Sequence, residues 1–339
     1  MSKNSPIVST SRGVGLLALL ASVLATGCAP MSFLVTPVPR SPKLVEKVIE
    51  RDGIFARDRI ALIDVSGVLR NARDQSLLGP AGENPVAIFK EKLDKAAADK
   101  RVKAVVLRIN SPGGGVTASD LMYTELTEFR ERTDKPVVAV GLDVMASGAY
   151  YLACGADRIV VTPTSVVGSI GVILILPEFS GTMQKLGIRA NVIKSGEMKD
   201  AGSPFRTLQP AEREIFQEMI DAMYARFVSV VQSSRTDMEE TRLRELADGR
   251  VYLAPDAVAS GLVDEIGTLH DGVELAKQLA GLDDKPIVLV QYGKVYDYRP
   301  NIYADTPAGP AQVNVVNVDL PEWLEGPGAR FMYLWAPGW

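Results

Sequence analysis

Hydrophobic positions along the chain form short continuous runs that alternate with segments of helical periodicity. The continuous runs, which are typical of strands buried on both faces, occupy residues 60–69, 102–109, 136–144, 158–161 and 287–290. Apolar residues spaced three and four apart predict helices at residues 85–100, 117–132, 177–186, 210–233, 242–247, 255–259 and 271–280. The alternation of strands with helices predicts an α/β fold with a mostly parallel sheet and flanking helices.

The segments outside this alternation set the expected domain boundaries. We expect one folded domain over residues 59–295, preceded at 28–58 by a proline-dotted, charged tether that includes a helix within 43–51. Inside the domain, a short apolar run at 190–194 predicts a further strand. Residues 296–339 are rich in Pro, Asn, Gly and aromatic residues and form a C-terminal tail.

The first 27 residues have the features of an export signal. Lys3 and Arg12 precede an apolar run at 14–25, which is shorter than the ~20 residues that a membrane-spanning helix needs. The run ends in small residues directly before Cys28, as in a bacterial lipoprotein signal, where Cys28 would carry the lipid. A plain secretory signal or an uncleaved anchor is the alternative. Each version places the folded part outside the cytoplasm, at a membrane surface of the cell envelope.

Composition and charge exclude some classes of protein. The 339 residues carry a formal net charge of −4 and contain no dense block of lysine and arginine, so we expect no nucleic-acid partner. The two cysteines, Cys28 and Cys154, are too few for a disulfide framework. Cys154 lies in an apolar stretch, where we expect a small core residue.

Ser147 stands at a predicted corner between a strand and a helix, flanked by Ala146 and Gly148. At such a corner a serine hydroxyl is presented to a substrate, and the N–H groups of the helix N-terminus face any negative charge that forms. Small neighbours let a carbonyl group approach. These features predict a nucleophile, and the alternative is a serine that only caps the helix.

A serine nucleophile needs a base to take its proton. The only histidine, His270, is predicted at the start of a helix and in no recognisable arrangement with Ser147, so we do not expect a Ser–His–Asp triad. A lysine can serve when burial or a positive field lowers its pKa. Lys199 lies in a loop of small residues, 195–204, that could pack into a dry cleft. A solvated loop lysine is the alternative reading.

A third feature is the glycine run at 113–115, which lets backbone N–H groups approach a ligand closely. Together with the N–H of Gly148, such donors would stabilise the oxyanion of an acyl-transfer reaction. An ordinary glycine-rich turn is the alternative.

These pieces together resemble the signal peptide peptidase A family of Ser–Lys peptidases, family S49, in its short form with one catalytic repeat. The segments that carry the resemblance are 108–115, 146–154, 168–172, 195–199, 249–252 and 260–267. The resemblance implies a ClpP/crotonase-like fold, Ser147 as nucleophile, Lys199 as base and Ser169 as the residue that orients the lysine. It also implies that Gly114 and Gly148 donate to the oxyanion.

The resemblance further implies cleavage of hydrophobic peptides, such as remnant signal peptides, in an apolar groove that accepts small residues. It implies a ring-like homo-oligomer and no metal or cofactor. Two alternatives stay open from the residues. A crotonase-type CoA enzyme would share the fold and the glycine oxyanion hole without needing the serine and the lysine. A lipoprotein scaffold would keep the fold with an idle site.

Overall fold

The centre of the fold is a sheet of nine strands in a computed structural model that describes residues 44–72, 83–293 and 330–335. The strands are β1 Val45–Arg51, β2 Asp58–Ser66, β3 Val102–Ser111, β4 Gly113–Gly115, β5 Val137–Ala146, β6 Arg158–Val161, β7 Val166–Gly168, β8 Ile173–Ile175, β9 Val251–Leu253, β10 Glu265–Ile266, β11 Ile287–Gly293 and β12 Arg330–Leu334. The predicted signal at 1–27, Cys28 and most of the predicted tether and tail lie outside the described residues.

The helices are α1 Pro85–Ala98, α2 Val116–Thr133, α3 Gly148–Ala153, α4 Ser180–Lys185, α5 Pro210–Ser234, α6 Glu240–Leu246, α7 Ala254–Ala259 and α8 Leu269–Leu279. A short 3₁₀ helix covers Glu197–Asp200. Within the described part of the chain, none of these helices combines the length and the apolar character that crossing a bilayer requires.

The main path of the central sheet runs β1–β11–β2–β3–β5–β6–β10. Along this path, all neighbouring strands from β11 to β10 are parallel, and the edge strand β1 pairs antiparallel with β11. β7 adds in parallel to the end of β5, and β9 pairs with β7. The predicted mixed α/β fold with a mostly parallel sheet is confirmed, and it is consistent with a ClpP/crotonase-like fold.

Both faces of the sheet are buried, which explains the continuous apolar runs. Alternate residues of one strand enter different cores: Ala61 and Ile63 pack with the side of the sheet that α1, α2 and α3 cover, and Ile60 and Leu62 pack with α8. Because successive side chains in a strand point to opposite faces, a sheet covered on both sides needs apolar residues at nearly every position.

The helix predicted within 43–51 is wrong, because this segment is the edge strand β1. It pairs antiparallel with β11, from Val45 opposite Gly293 to Arg51 opposite Val288. The Glu and Lys residues of the segment favour a helix locally, but pairing along the free edge of β11 outweighs that preference. The sheet therefore begins inside the segment predicted as a tether.

The strand predicted at 190–194 is also wrong, since these residues form no strand and lie exposed. Val192 and Ile193 have the side chains of a strand, but no neighbouring strand pairs with them in the described chain. A β-prone run forms a strand only where a partner supplies its hydrogen bonds. The predicted helix at 177–186 is present as the shorter α4.

A second, smaller sheet joins β4, β12 and β8. β12 comes from the predicted C-terminal tail and lies antiparallel between the glycine run of β4 and the strand β8. Part of the tail is therefore integral to the folded unit.

The hydroxyl of Tyr150 offers a test of core stability. Tyr150 is fully buried on α3, and its hydroxyl donates to Leu262 O at 2.6 Å. Tyr150→Phe should lower the free energy of unfolding by about 1–2 kcal/mol, because the carbonyl loses its partner away from water. Denaturant unfolding measures the change. Tyr224→Phe is the matched control and should cost less, since the Tyr224 phenol bonds Ala247 O from a half-exposed position where water can replace it.

Candidate active site

Ser147 occupies the corner between β5 and α3 in a strained conformation. Its φ of 52° and ψ of −118° are uncommon for a residue with a side chain. The Ser147 N–H donates to Gly168 O at 2.7 Å, and Ser147 O accepts from Tyr151 N at 2.8 Å, so neighbouring backbone holds the corner on both sides. Such a turn is how serine nucleophiles are presented at the end of a strand.

The Ser147 hydroxyl is buried and makes no hydrogen bond to a described residue. The residue is 1% exposed, and its Oγ has no hydrogen-bond partner among the described residues. A buried hydroxyl without a partner costs free energy and is rare in a native structure. It therefore indicates that this oxygen serves an incoming group. His270 is exposed on α8 and does not bond to it.

The glycine run of β4 approaches Ser147 through backbone contacts that leave no room for side chains. A Cβ at Gly113, whose φ is 97°, would lie 2.1 Å from Tyr333 O and 2.6 Å from Gly148 N. A Cβ at Gly114 would lie 2.1 Å from Leu69 O. The two glycines thus bring β4 against the N-terminus of α3 and against the chain at Leu69.

Ser111 positions this run, a role that the sequence did not reveal. Its side chain is completely buried, donates to Gly67 O at 2.6 Å and accepts from Gly113 N at 3.1 Å. One hydroxyl therefore joins the end of β3, the loop after β2 and the start of β4. The position before Pro112 predicted only a turn residue, because the partner Gly67 lies far away in sequence.

The backbone carbonyl of Tyr333, in β12, lies beside the glycine run and close to Gly148. In the antiparallel pairing of β12 with β4, Tyr333 is opposite Gly114, and Trp335 N donates to Pro112 O at 2.8 Å. Hydrogen-bonded pairs alternate along such a ladder, so Gly114 and Tyr333 exchange their bonds and Gly114 N–H faces Tyr333 O. The same oxygen lies 3.1 Å from a Cβ built on Gly148.

Lys199 lies on the exposed 3₁₀ helix Glu197–Asp200 and makes no hydrogen bond to Ser147 Oγ. It differs from its neighbour Lys194, whose ammonium bonds Asp200 Oδ1 and Glu197 O, both at 2.6 Å. In the described chain, the Lys199 ammonium group makes neither a hydrogen bond nor an ion pair, and only the backbone N–H of this residue is bonded, to Gly196 O at 3.1 Å. The two lysines of this loop therefore differ, because Lys194 is held by the loop and the Lys199 side chain is not.

The loop that carries Lys199 is braced by an ion-pair cluster. Arg206 bonds Asp200 Oδ1 at 2.9 Å and Glu212 Oε2 at 2.9 Å, which ties the loop to the first turn of α5. The hydrogen bonds from Arg206 and Lys194 hold the pKa of the Asp200 carboxyl well below its usual range. Since a depressed carboxyl pKa keeps the group charged at neutral and alkaline pH, the cluster is ionised wherever a lysine base works.

Ser169 directly follows Gly168, the residue whose carbonyl accepts from Ser147 N. Its φ is 52°, and it is 7% exposed. It borders a cavity of about 300 Å³ whose walls also include Tyr224, Asp248 and Leu334. The structure thus places Ser169 next to the residue that bonds the Ser147 backbone, and at the edge of a cavity.

The fold and this corner define a class: an α/β protein with a buried, strained serine between a strand of a mostly parallel sheet and a helix, beside a glycine run. The profile of peptidase family S49 matches residues 130–283. A protein of Enterococcus faecium named signal peptide peptidase SppA is 34% identical over 248 residues, 73% of this chain and 71% of that protein. A protein of Synechocystis named protease slr0021 is 36% identical over 272 residues, 79% and 91% of the two chains.

Protease 4 of Haemophilus influenzae is 35% identical over 222 residues, which are 66% of this chain and 35% of that longer protein. The chain belongs to peptidase family S49, of the signal peptide peptidase A type, and is a serine peptidase. The family predicted from the sequence motifs is therefore confirmed.

The close approach at Gly113 leads to a prediction. Gly113→Ala should lower kcat/KM for peptide hydrolysis by about a hundredfold, because the new Cβ would occupy the space in which the Tyr333 carbonyl oxygen lies opposite Gly114. Gly115→Ala is the matched control, since its Cβ meets nothing nearer than Leu69 O at 3.8 Å. Steady-state kinetics of the two variants measures the difference. Equal activities would contradict the assignment of this space to the reacting carbonyl.

Proposed function

We propose that this serine peptidase uses a Ser147–Lys199 dyad to hydrolyse hydrophobic peptides through an acyl-enzyme. The observation that carries the proposal is the buried Ser147 hydroxyl, which has no hydrogen-bond partner among the described residues and lies at a strained corner beside the glycine run that pairs with Tyr333. Gly114 and Gly148 are the proposed oxyanion donors, and Ser169 orients the lysine. The site needs no metal or cofactor in this mechanism.

Each step follows from these groups. Neutral Lys199 Nζ takes the proton of Ser147 Oγ while Oγ bonds to the peptide carbonyl carbon. The oxyanion accepts hydrogen bonds from Gly114 N–H and Gly148 N–H, each worth roughly 3–4 kcal/mol in the transition state. The C–N bond then breaks, and the lysine returns its proton to the leaving amine. Water, activated by the same lysine, hydrolyses the ester and restores Ser147.

We infer that Lys199 reaches Ser147 of a neighbouring copy in a ring-like homo-oligomer. Within one chain, Lys199 is exposed and does not bond Ser147. The segment that carries it also exposes large apolar side chains, including Leu186 at 69% and Ile193 at 102%. Contiguous exposed apolar surface is typical of a protein interface. The cavity beside Ser169 offers space where an ammonium group could enter.

The proposed location is the cell envelope, outside the cytoplasm and attached to a membrane through the N-terminal segment, with Cys28 as the lipidation candidate. The basic start, the short apolar run and the small residues before Cys28 support this. One of the relatives is named a signal peptide peptidase. Hydrophobic remnant signal peptides, which are released at membranes, are accordingly the proposed substrates.

Labelling with a fluorophosphonate tests the nucleophile. We expect a single adduct on Ser147, identified by peptide mass spectrometry, with labelling that increases over about pH 7 to 10 as a lysine base becomes neutral. Absence of any adduct across that range would support the scaffold alternative. A crotonase-type enzyme would instead retain its activity in a Ser147→Ala variant.

A further inference from the structure

Lys199 lies within an excursion of the chain, residues 180–203, that leaves the fold and returns at the same point. There the Phe179 N–H donates to Pro204 O at 2.7 Å, which joins the beginning of the excursion to its end. Most residues between the two ends are exposed. Few packing contacts therefore fix the Lys199 backbone, and polar contacts near the end of the excursion have to supply that restraint.

Arg206 supplies this restraint with all three nitrogens of its guanidinium group. Nε and Nη2 donate to the two carboxylate oxygens of Asp200 at 3.1 and 2.9 Å, and Nη2 also donates to the backbone Asp200 O at 3.0 Å. Nη1 donates to Glu212 Oε2 at 2.9 Å. Because Asp200 directly follows Lys199 in the 3₁₀ helix, Arg206 fixes the backbone beside the proposed base. A planar, bidentate pair of this kind is more directional than a bond from an ammonium group.

The partner of Arg206 on α5 is a buried carboxylate. Glu212 is 2% exposed and is the only buried residue among positions 210–226 of this helix. Burying a carboxylate is unfavourable unless it is paired, and an apolar residue would usually stabilise such a position at least as well. The pairing with Arg206, and the bond that Glu212 accepts from Gln209 N at 3.0 Å, fix the carboxylate in one orientation. The buried glutamate therefore gives Arg206 a fixed point on the fold.

We propose that Arg206 is a positioning residue for the proposed base, Lys199, and that it acts on catalysis only through that lysine. The inference rests on the proposed function, in which Lys199 takes the proton of Ser147. Arg206 transfers no proton, because its guanidinium group is occupied by Asp200 and Glu212. It holds the 3₁₀ helix against the first turn of α5, so that the lysine extends towards the serine from one defined place.

Arg206→Ala should lower kcat for peptide hydrolysis by about 30- to 100-fold and change KM by less than about threefold, because a base displaced by about 1 Å loses rate without loss of substrate binding. Arg206→Lys should recover to within about tenfold of wild type, since an ammonium group cannot bond both carboxylates in one plane. Arg213→Ala is the matched control and should keep wild-type kinetics. This arginine follows Glu212 on the same exposed start of α5, and its side chain bonds no described residue.

A double-mutant cycle separates the positioning of Lys199 from a general loss of structure. In a Lys199→Ala background, Arg206→Ala should lower kcat/KM by less than about a further twofold, because residues that act as one unit lose their effects together. Losses that multiply would show that Arg206 acts elsewhere and would overturn the proposal. Denaturant unfolding establishes that each variant is folded. If Arg206→Ala is not folded, Arg206→Lys is taken through the same cycle with the same criterion.

Mixed assemblies identify the side of the site on which Arg206 acts. Arg206→Ala should regain activity above its own residual rate when co-assembled with Ser147→Ala, which still supplies a positioned Lys199, and should gain none with Lys199→Ala. Recovery with Lys199→Ala instead, or wild-type kcat in Arg206→Ala alone, would overturn the assignment and leave the proposed dyad standing. No peptide hydrolysis by wild type, together with no fluorophosphonate adduct, would refute the peptidase mechanism and the inference with it.

Discussion

Ser147→Ala should lower kcat/KM for peptide hydrolysis by at least about 10⁴-fold and should abolish the fluorophosphonate adduct. The hydroxyl is the proposed nucleophile, and no other described group can take its place at the corner that Gly168 and Tyr151 hold. The donors of β4 and α3 would remain, so a small residual rate is expected. Hydrolysis of a fluorogenic hydrophobic peptide, measured against the uncatalysed rate, gives the factor.

Two further variants separate chemistry from stability. Ser147→Gly should be equally inactive but about 1 kcal/mol more stable than Ser147→Ala, because glycine adopts a φ of 52° without steric cost. Ser233→Ala, on the exposed end of α5, where the hydroxyl bonds only Ser229 O, should keep wild-type activity. If Ser147→Ala retained full activity with its fold intact, Ser147 could not be the nucleophile.

Lys199→Ala should lower the same rate by at least about 10³-fold, since Lys199 is the proposed base and no other side chain of the described residues bonds the Ser147 hydroxyl. Because Lys199 is exposed within one chain, we also expect a specific result when two inactive variants are mixed. Ser147→Ala and Lys199→Ala proteins, each inactive alone, should regain activity when co-assembled. In a random ring about a quarter of the sites would combine Ser147 of one copy with Lys199 of its neighbour.

The control for this experiment is Lys185→Ala, which removes an exposed lysine from α4 in the same segment and should leave activity unchanged. Native mass spectrometry establishes that mixed assemblies form. If they form and stay inactive, Lys199 does not act across an interface. Full activity of Lys199→Ala by itself would exclude it as the base.

The local pattern of apolar residues was sufficient to predict most of the strands and helices. The runs at 102–109 and 136–144 became β3 and β5 because strands buried on both faces must be apolar at almost every position. The same pattern could not define β1, whose residues favour a helix until they meet the edge of β11. It also predicted a strand at 190–194, where the described chain supplies no partner.

The residues of the candidate site also fall into two groups, those that the local sequence predicts and those that only the fold reveals. Ser147, Gly148 and the glycine run could be predicted because a strand-to-helix corner and a glycine turn are short-range features. Ser111 was missed because its partner, Gly67, is 44 positions away. The tail was predicted as a separate segment, yet its residue Tyr333 pairs with Gly114 of the glycine run.

The sequence by itself determined the alternation of strands and helices, the corner at Ser147 and, through the motifs, the peptidase family. Each of these depends on interactions between residues close together in the chain. Only the tertiary structure decided that β12 lies between β4 and β8, that the Tyr333 ring packs against Tyr151 and Phe227, and that Lys199 is exposed and does not bond Ser147 of its own chain. Such contacts join segments far apart in the sequence and depend on which edges and cavities the rest of the fold leaves open.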